Sequence, residues 1–171
     1  MLPTSSQAET GRERPPYFRE TAPLPREAVT TKARNAVENL VTINDRLIQA
    51  ATEGPLGAVQ ELLEQGANPN YFDAGWTPLR RAIVGDHTDI ASLLFENGAN
   101  PNQPDSWGVT DLMMAVGRRN ADMVQLLLEN GADPNAEDLT HRTALGLAEW
   151  LGFEDMVKIL APFTSRTEQK N

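Results

Sequence analysis

The chain has 171 residues, 40% of them hydrophobic and 23% charged, enough for one domain with a modest core. Its formal charge of −9 is unevenly spread: residues 45–163 carry 18 Asp and Glu against 7 Lys and Arg, whereas the first 44 carry five against six. That acidic body argues against nucleic acid or an anionic membrane as partner. The absence of cysteine excludes disulfides, thiolate catalysis and Cys-based metal sites.

Residues 1–25 hold five prolines among Ser, Thr and charged residues, including "RERPPYFRETAPLPRE". Such a stretch buries too little apolar surface to offset its ordering entropy and reads as a flexible arm, with Tyr17 and Phe18 as its only aromatic docking candidates. It lacks the apolar run of a secretory signal, and no 18-residue apolar run occurs in the chain. The expected location is the cytoplasm. From 26 to 41, Val29, Ala33, Ala36, Val37, Leu40 and Val41 recur at helical spacing, so 26–44 reads as an amphipathic helix and capping segment.

The body repeats itself. "GANPN" at 66–70 and 98–102 and "GADPN" at 131–135 lie 32 and 33 residues apart. "TPL" at 77–79, "TDL" at 110–112 and "TAL" at 143–145 keep the same beat, as do "VQELLEQ", "IASLLFEN" and "MVQLLLEN" before each glycine. Self-similarity near 33 residues marks a stacked array whose single unit cannot bury its own core.

The stretch "GWTPLRRAIVGDHTDIASLLFENGANPN" resembles the ankyrin repeat, which implies helix, turn, antiparallel helix and hairpin-like loop. The implied fold is an all-α solenoid of stacked helix-turn-helix units preceded by an N-terminal helix. Four units are expected within 45–163, at 45–72, 73–104, 105–137 and 138–163, followed by a tail at 164–171. The Pro in "GANPN" and "GADPN", where Val is commoner, resembles bacterial arrays.

Local chemistry supports the division. Asp45, Thr77, Thr110 and Thr143 are candidate N-caps. Leu47, Leu79, Leu112 and Leu145, each with an alanine three residues later, fit a tight helix seam. Gly66, Gly98 and Gly131 end second helices where positive φ is wanted. Asp86 and Arg119 replace the glycine usual after the first helix, at a cost in local strain. The last unit stops at "LAPF" and offers Glu154, Asp155 and Lys158 in place of an apolar outer face.

No catalytic template appears. His87 matches a position that in the family typically hydrogen-bonds within the loops, and His141 reads as a solvated turn residue. Glu137, Asp138 and His141 stand close enough in "NAEDLTH" for a weak divalent-cation site, although acidic hairpins need no such role. "NQPDSWG" lacks the alternating oxygen ligands of a calcium loop. We therefore expect no enzyme, no metal and no cofactor.

At 100° per residue, Leu79, Ala82 and Ile83 centre the buried face of one helix, and Arg81, Val84 and Gly85 point away. The resemblance makes that far side the wall of a concave groove. Unit one presents Gln49, Thr52 and Glu53 there. Unit three presents Met114, Gly117 and Arg118, and unit four Leu147, Trp150 and Leu151. The groove thus runs from acidic, through a basic middle, to an apolar end.

Five of the body's seven cations, Arg80, Arg81, Arg118, Arg119 and Arg142, lie in this layer. Trp and Arg dominate binding hot spots. The candidate partner contacts are Arg81, Arg118, Trp76, Trp107, Trp150, Met114, Leu151, Arg142 and Arg80. Arg80 lies on the flank of its helix, near 100° from the buried face, and the tryptophans could equally cover loops or the array's end. The reading is a monomeric, non-catalytic protein-binding module, an adaptor, scaffold or inhibitor whose partner offers acidic and apolar groups. Alternatives are an oligomer-forming repeat or a weak metal- or small-molecule-binding protein.

Overall fold

Thr42 opens the first described element. The computed structural model describes residues 42–164; the arm, the helix expected at 26–41 and the tail beyond 164 lie outside the described residues. Thr42 and Asp45 form a capping box, in which Thr42 Oγ1 accepts from Asp45 N at 3.2 Å and Asp45 Oδ2 accepts from Thr42 N at 2.7 Å. The first helix, α1, therefore spans Ile43–Glu53, and Asp45 is its third residue. The expectation that Asp45 caps this helix is corrected: its carboxylate reaches back to Thr42, which is the N-cap.

The remaining helices are α2 (Leu56–Glu64), α3 (Pro78–Val84), α4 (Thr88–Glu96), α5 (Asp111–Gly117), α6 (Ala121–Glu129), α7 (Ala144–Leu151) and α8 (Glu154–Thr164). Thr77, Thr110 and Thr143 cap α3, α5 and α7, each hydroxyl accepting from the backbone N–H three residues on. The first helices α1, α3, α5 and α7 pack in sequence as one layer, and the second helices α2, α4, α6 and α8 form another. This is the all-α solenoid that the period implies.

Leu47, Leu79 and Leu112 and the alanines Ala50, Ala82, Ala115 and Ala148 are buried in the seam of the first layer. Ile90, Leu94, Met123, Leu127, Met156 and Leu160 fill the space between the layers. The core is therefore a continuous strip, to which each repeat adds about one rung.

After each first helix one residue turns left-handed: Gly54 (φ 90°), Asp86 (57°), Arg119 (56°) and Gly152 (72°). The two non-glycine members confirm strained backbone at the positions where glycine is missing. Gly66, Gly98 and Gly131 end α2, α4 and α6 at φ 84–90°.

The "NPN" loops have a division of labour that the sequence does not display. Asn68, Asn100 and Asp133 accept from the N–H two residues on, a local turn bond. The second asparagine instead bridges repeats. Asn70 donates to Gly98 O at 2.8 Å and accepts from Asn100 N at 2.7 Å, and Asn102 does the same with Gly131 O and Asp133 N, both at 2.8 Å.

The hairpins differ in length. Asp73 and Trp76 exchange two backbone bonds of 3.0 and 2.8 Å around Ala74 and Gly75, both at positive φ. The next two are one residue longer, closed by Asp105 N to Val109 O (3.1 Å) and Asp138 N to Arg142 O (3.0 Å).

Candidate partner-binding groove

The solvent side of α1, α3, α5 and α7 is built from the residues that helical geometry points away from the core. Gln49, Thr52, Glu53, Gly117, Arg118 and Trp150 are exposed, and Arg81, Val84, Gly85, Met114, Leu147 and Leu151 are half-buried. They form one face of the first layer. The arginines on this layer have very different surroundings.

Arg80 is a correction. It was expected among the partner contacts, but its side chain is 2% exposed. Nε donates to Asp111 Oδ1 at 2.8 Å, Nη1 to Gly75 O at 3.3 Å, and Nη2 to Gln103 O at 2.9 Å and Val109 O at 3.0 Å. In an isolated helix a position 100° from the core would be a flank, whereas in a stack it faces the adjoining repeat. Arg80 thus joins the hairpin of its own repeat to the loop and helix of the next. Burial pushes the Asp111 carboxyl up to about 6, with Arg80 opposing the rise.

Arg118 is clasped from the preceding repeat. Its Nε and Nη2 meet Asp86 Oδ1 and Oδ2 at 3.0 and 2.6 Å, a bidentate fork. The Arg118 hydrogen bond holds the Asp86 carboxyl below its ordinary range and raises the Arg118 guanidinium. Arg119, the counterpart of Asp86 one repeat on, reaches Asp155 of the following unit at 3.0 Å and lies over Phe153. Asp86 and Arg119, the two non-glycine residues that turn left-handed after a first helix, are therefore the residues whose side chains clasp the following unit.

Arg142 is also engaged, with Nη2 3.4 Å from Asp138, Nε donating to Thr140 Oγ1 at 2.8 Å, and its guanidinium 5.4 Å from the Trp150 ring centre. The expected basic middle of the groove is thus corrected, because Arg80, Arg118, Arg119 and Arg142 each already have a carboxylate.

Arg81 differs. Its guanidinium carbon lies 3.9 Å from the Trp76 ring centre, and its Nε is shielded from solvent with no hydrogen-bond partner. Among the described residues no carboxylate pairs with it. A stacked guanidinium presents its edge in a fixed plane, a geometry suited to a carboxylate or a backbone carbonyl. Trp76 is held in place by the two backbone bonds to Asp73, so the pair stands on a rigid stem.

Trp107 and Trp150 are 70% and 71% exposed, so neither is used to cover a loop or the array's end. Met114 on α5 and Leu151 on α7 are half-buried on the same layer.

The remaining polar candidates are structural in their surroundings. His87 Nε2 is 3.3 Å from Thr52 O, and its ring occupies the space that a Cβ on Gly54 or Gly85 would need. His141 sits at φ 60° and meets Glu137 at 3.0 Å. Asp138 Oδ1 accepts from Thr140 N, Thr140 Oγ1 and Arg142 N, bonds that draw its carboxyl down to about 2. Among the described residues no three His, Asp or Glu side chains converge on a metal-sized site.

At the end of the stack a depression of about 360 Å³ is lined by Ala148, Gly152 and Val157, with Glu149, Glu154 and Lys158. The last unit's outer end therefore keeps an apolar patch, contrary to expectation, with the charged residues at its edge. None of the described helices is long and apolar enough to cross a membrane.

A one-dimensional stack of helix pairs with a solvent-facing inner layer and projecting hairpins defines a repeat solenoid of the interaction type. Two models described as ankyrin repeats match residues 27–105 and 94–148, and the chain belongs to the ankyrin-repeat family. It is similar to the 2-5A-dependent ribonuclease of Mus musculus, 34% identical over 87 residues, which is 50% of this chain and 12% of that protein. It is also similar to the RelA-associated inhibitor of Mus musculus, 37% identical over 86 residues, half of this chain and 10% of that protein. A third relative is the cyclin-dependent kinase inhibitor 2A of Monodelphis domestica, 33% identical over 66 residues, 39% of each chain. The first two relatives are matched over only about a tenth of their length.

Proposed function

We propose that this chain is a monomeric, non-catalytic protein-binding module, working in the cytoplasm as an adaptor, scaffold or inhibitor. It grips its partner along the solvent face of α1, α3, α5 and α7 and at the hairpin tips. The observation that carries this reading is the Arg81–Trp76 pair, a preorganised cation at 3.9 Å from an indole with no internal carboxylate. Arg81 takes a carboxylate of the partner, and Met114 and Leu151 supply apolar contact further along. Arg118 and Arg142 act on the partner through the shape that their ion pairs give the groove rather than as free charges.

Two of the similar proteins are inhibitors by name, which agrees with binding as the mode of action. Ankyrin-repeat domains generally mediate protein–protein interaction, and the match to the ribonuclease covers its repeats alone. A photo-crosslinking amino acid placed at Met114 or at Gln125 tests the assignment. Crosslinks to a shared protein at Met114 and none at Gln125, on the outer helix α6, are expected. Equal crosslinking from both positions contradicts a groove on the first layer.

A further inference from the structure

Three large apolar side chains at the hairpin tips and on α7 have no partner chemistry assigned to them so far. Trp107, Leu139 and Trp150 are 70%, 70% and 71% exposed, in three separate segments of the chain. Single exposed apolar residues are ordinary, but a connected set marks a surface meant to be covered.

Hydrogen bonds and close backbone contacts connect them. Leu139 N donates to Trp107 O at 3.0 Å, which sets the tip of repeat three directly against that of repeat four. A Cβ on Gly108 would come within 3.0–3.2 Å of the Asp138 and Leu139 backbone, so the two tips are in close backbone contact. Thr140, next to Leu139, accepts from Arg142, and Arg142 lies over Trp150. Trp107, Leu139 and Trp150 therefore stand on one braced ledge from the hairpin tips to the last turn of α7. A rigid apolar ledge loses little entropy on binding.

The charge around the ledge fixes the chemistry of its occupant. Arg142 at its centre is already opposed by Asp138. Glu137, two residues before Leu139, and Glu149, next to Trp150, are exposed, and Glu137 pairs with the exposed His141. Across residues 45–163, 18 carboxylates face 7 cations, four of them held in ion pairs with aspartates. A segment carrying negative charge would be repelled here, and one carrying Lys or Arg would be attracted.

We propose that Trp107, Leu139 and Trp150 form a docking ledge for a basic segment of a partner protein. The segment lays an aliphatic or aromatic side chain on the indoles and sets flanking Lys or Arg against Glu137 and Glu149. The proposal rests on the protein-binding reading and adds a second contact of opposite charge preference to that of Arg81. A partner bound at both is oriented along the stack, its acidic group at repeat two and its basic segment at repeats three and four.

The test is selection of a random dodecapeptide phage library on the full chain, followed by titration of the recovered peptides. Enriched peptides should carry Lys or Arg beside Leu, Ile, Phe or Trp, and should shift the indole N–H resonances of Trp107 and Trp150 but not that of Trp76. Affinity should fall at least tenfold in Trp107→Ala/Leu139→Ser and about threefold or more in Glu137→Gln/Glu149→Gln, whose exposed substitutions leave the fold intact. Arg81→Glu should leave it unchanged. Neutral or acidic consensus peptides, shifts confined to Trp76, affinity unmoved in both ledge variants, or no enrichment over bare support would overturn the ledge. Loss of binding in Arg81→Glu with both ledge variants unaffected overturns this inference alone and leaves the protein-binding reading standing.

Discussion

Arg80 of the second repeat and Asp111 of the third form an ion pair shut from water, Nε to Oδ1 at 2.8 Å with side chains 2% and 1% exposed. Three backbone carbonyls take further guanidinium donors, so the charge is nearly saturated with partners. Such a pair is marginal against an apolar replacement and costly to break on one side.

Asp111→Asn leaves the Arg80 cation buried with a neutral partner. Its cost should be about 3–5 kcal/mol in unfolding free energy, the usual loss for one-sided removal of a buried pair. Arg80→Met/Asp111→Leu should recover much of that loss. Urea unfolding of the three proteins checks both statements, and a double variant as weak as Asp111→Asn would show that the pair itself is a large net contributor.

Asp86 combines strain with a clasp. Asp86→Gly removes the φ 57° strain and the bond to Arg118, whereas Asp86→Ala removes only the bond. The glycine variant should be the more stable of the two by about 1 kcal/mol. Equal midpoints in denaturant would mean that the left-handed residue carries no strain.

Asn102 links repeats three and four through Gly131 O and Asp133 N. Asn102→Ala should cost about 1–2 kcal/mol, the sum of two ordinary hydrogen bonds. Amide exchange should quicken at Asp133 while the α1 core amides keep their protection. Uniform loss of protection would instead mean that the whole stack unfolds as one unit.

Acid acts on the fourth hairpin through Asp138. Its folded carboxyl titrates at about 2, below the ordinary 3.8, because Thr140 and Arg142 donate to it. A depressed carboxyl stabilises the folded state fully above the unfolded value and loses that contribution as pH falls through the folded one. The melting-temperature gap between the wild-type chain and Asp138→Asn should be constant above about pH 5 and close between about pH 4 and 2. A gap that persists at pH 2 would place the stabilisation elsewhere.

The period, the caps at Thr77, Thr110 and Thr143 and the left-handed glycines were legible because each arises within a few residues and recurs along the array, whereas Thr42, and not Asp45, provides the cap of α1. The solvent side of the first layer followed from helical geometry alone. Arg80 was misplaced because a wheel separates core from surface but does not show the seam that a neighbouring unit creates. A signal was present nonetheless, since Asp111 stands 31 residues on, one repeat away at the start of the next first helix. The bridges made by Asn70 and Asn102 were not legible, because a bridge depends on how repeats superpose. Asp86 and Arg119 stood out as missing glycines, yet only the stacked structure reveals what each side chain reaches.

The proposed contact between Arg81, stacked on an indole without an internal carboxylate, and a carboxylate of a protein partner carries the functional reading. Its most direct test is quantitative affinity capture from native lysate with the wild-type chain and Arg81→Glu, after circular dichroism has shown equal helicity. A specific protein should be recovered by the wild type and depleted at least tenfold by Arg81→Glu. Recovery of the same proteins in equal yield by both would contradict it.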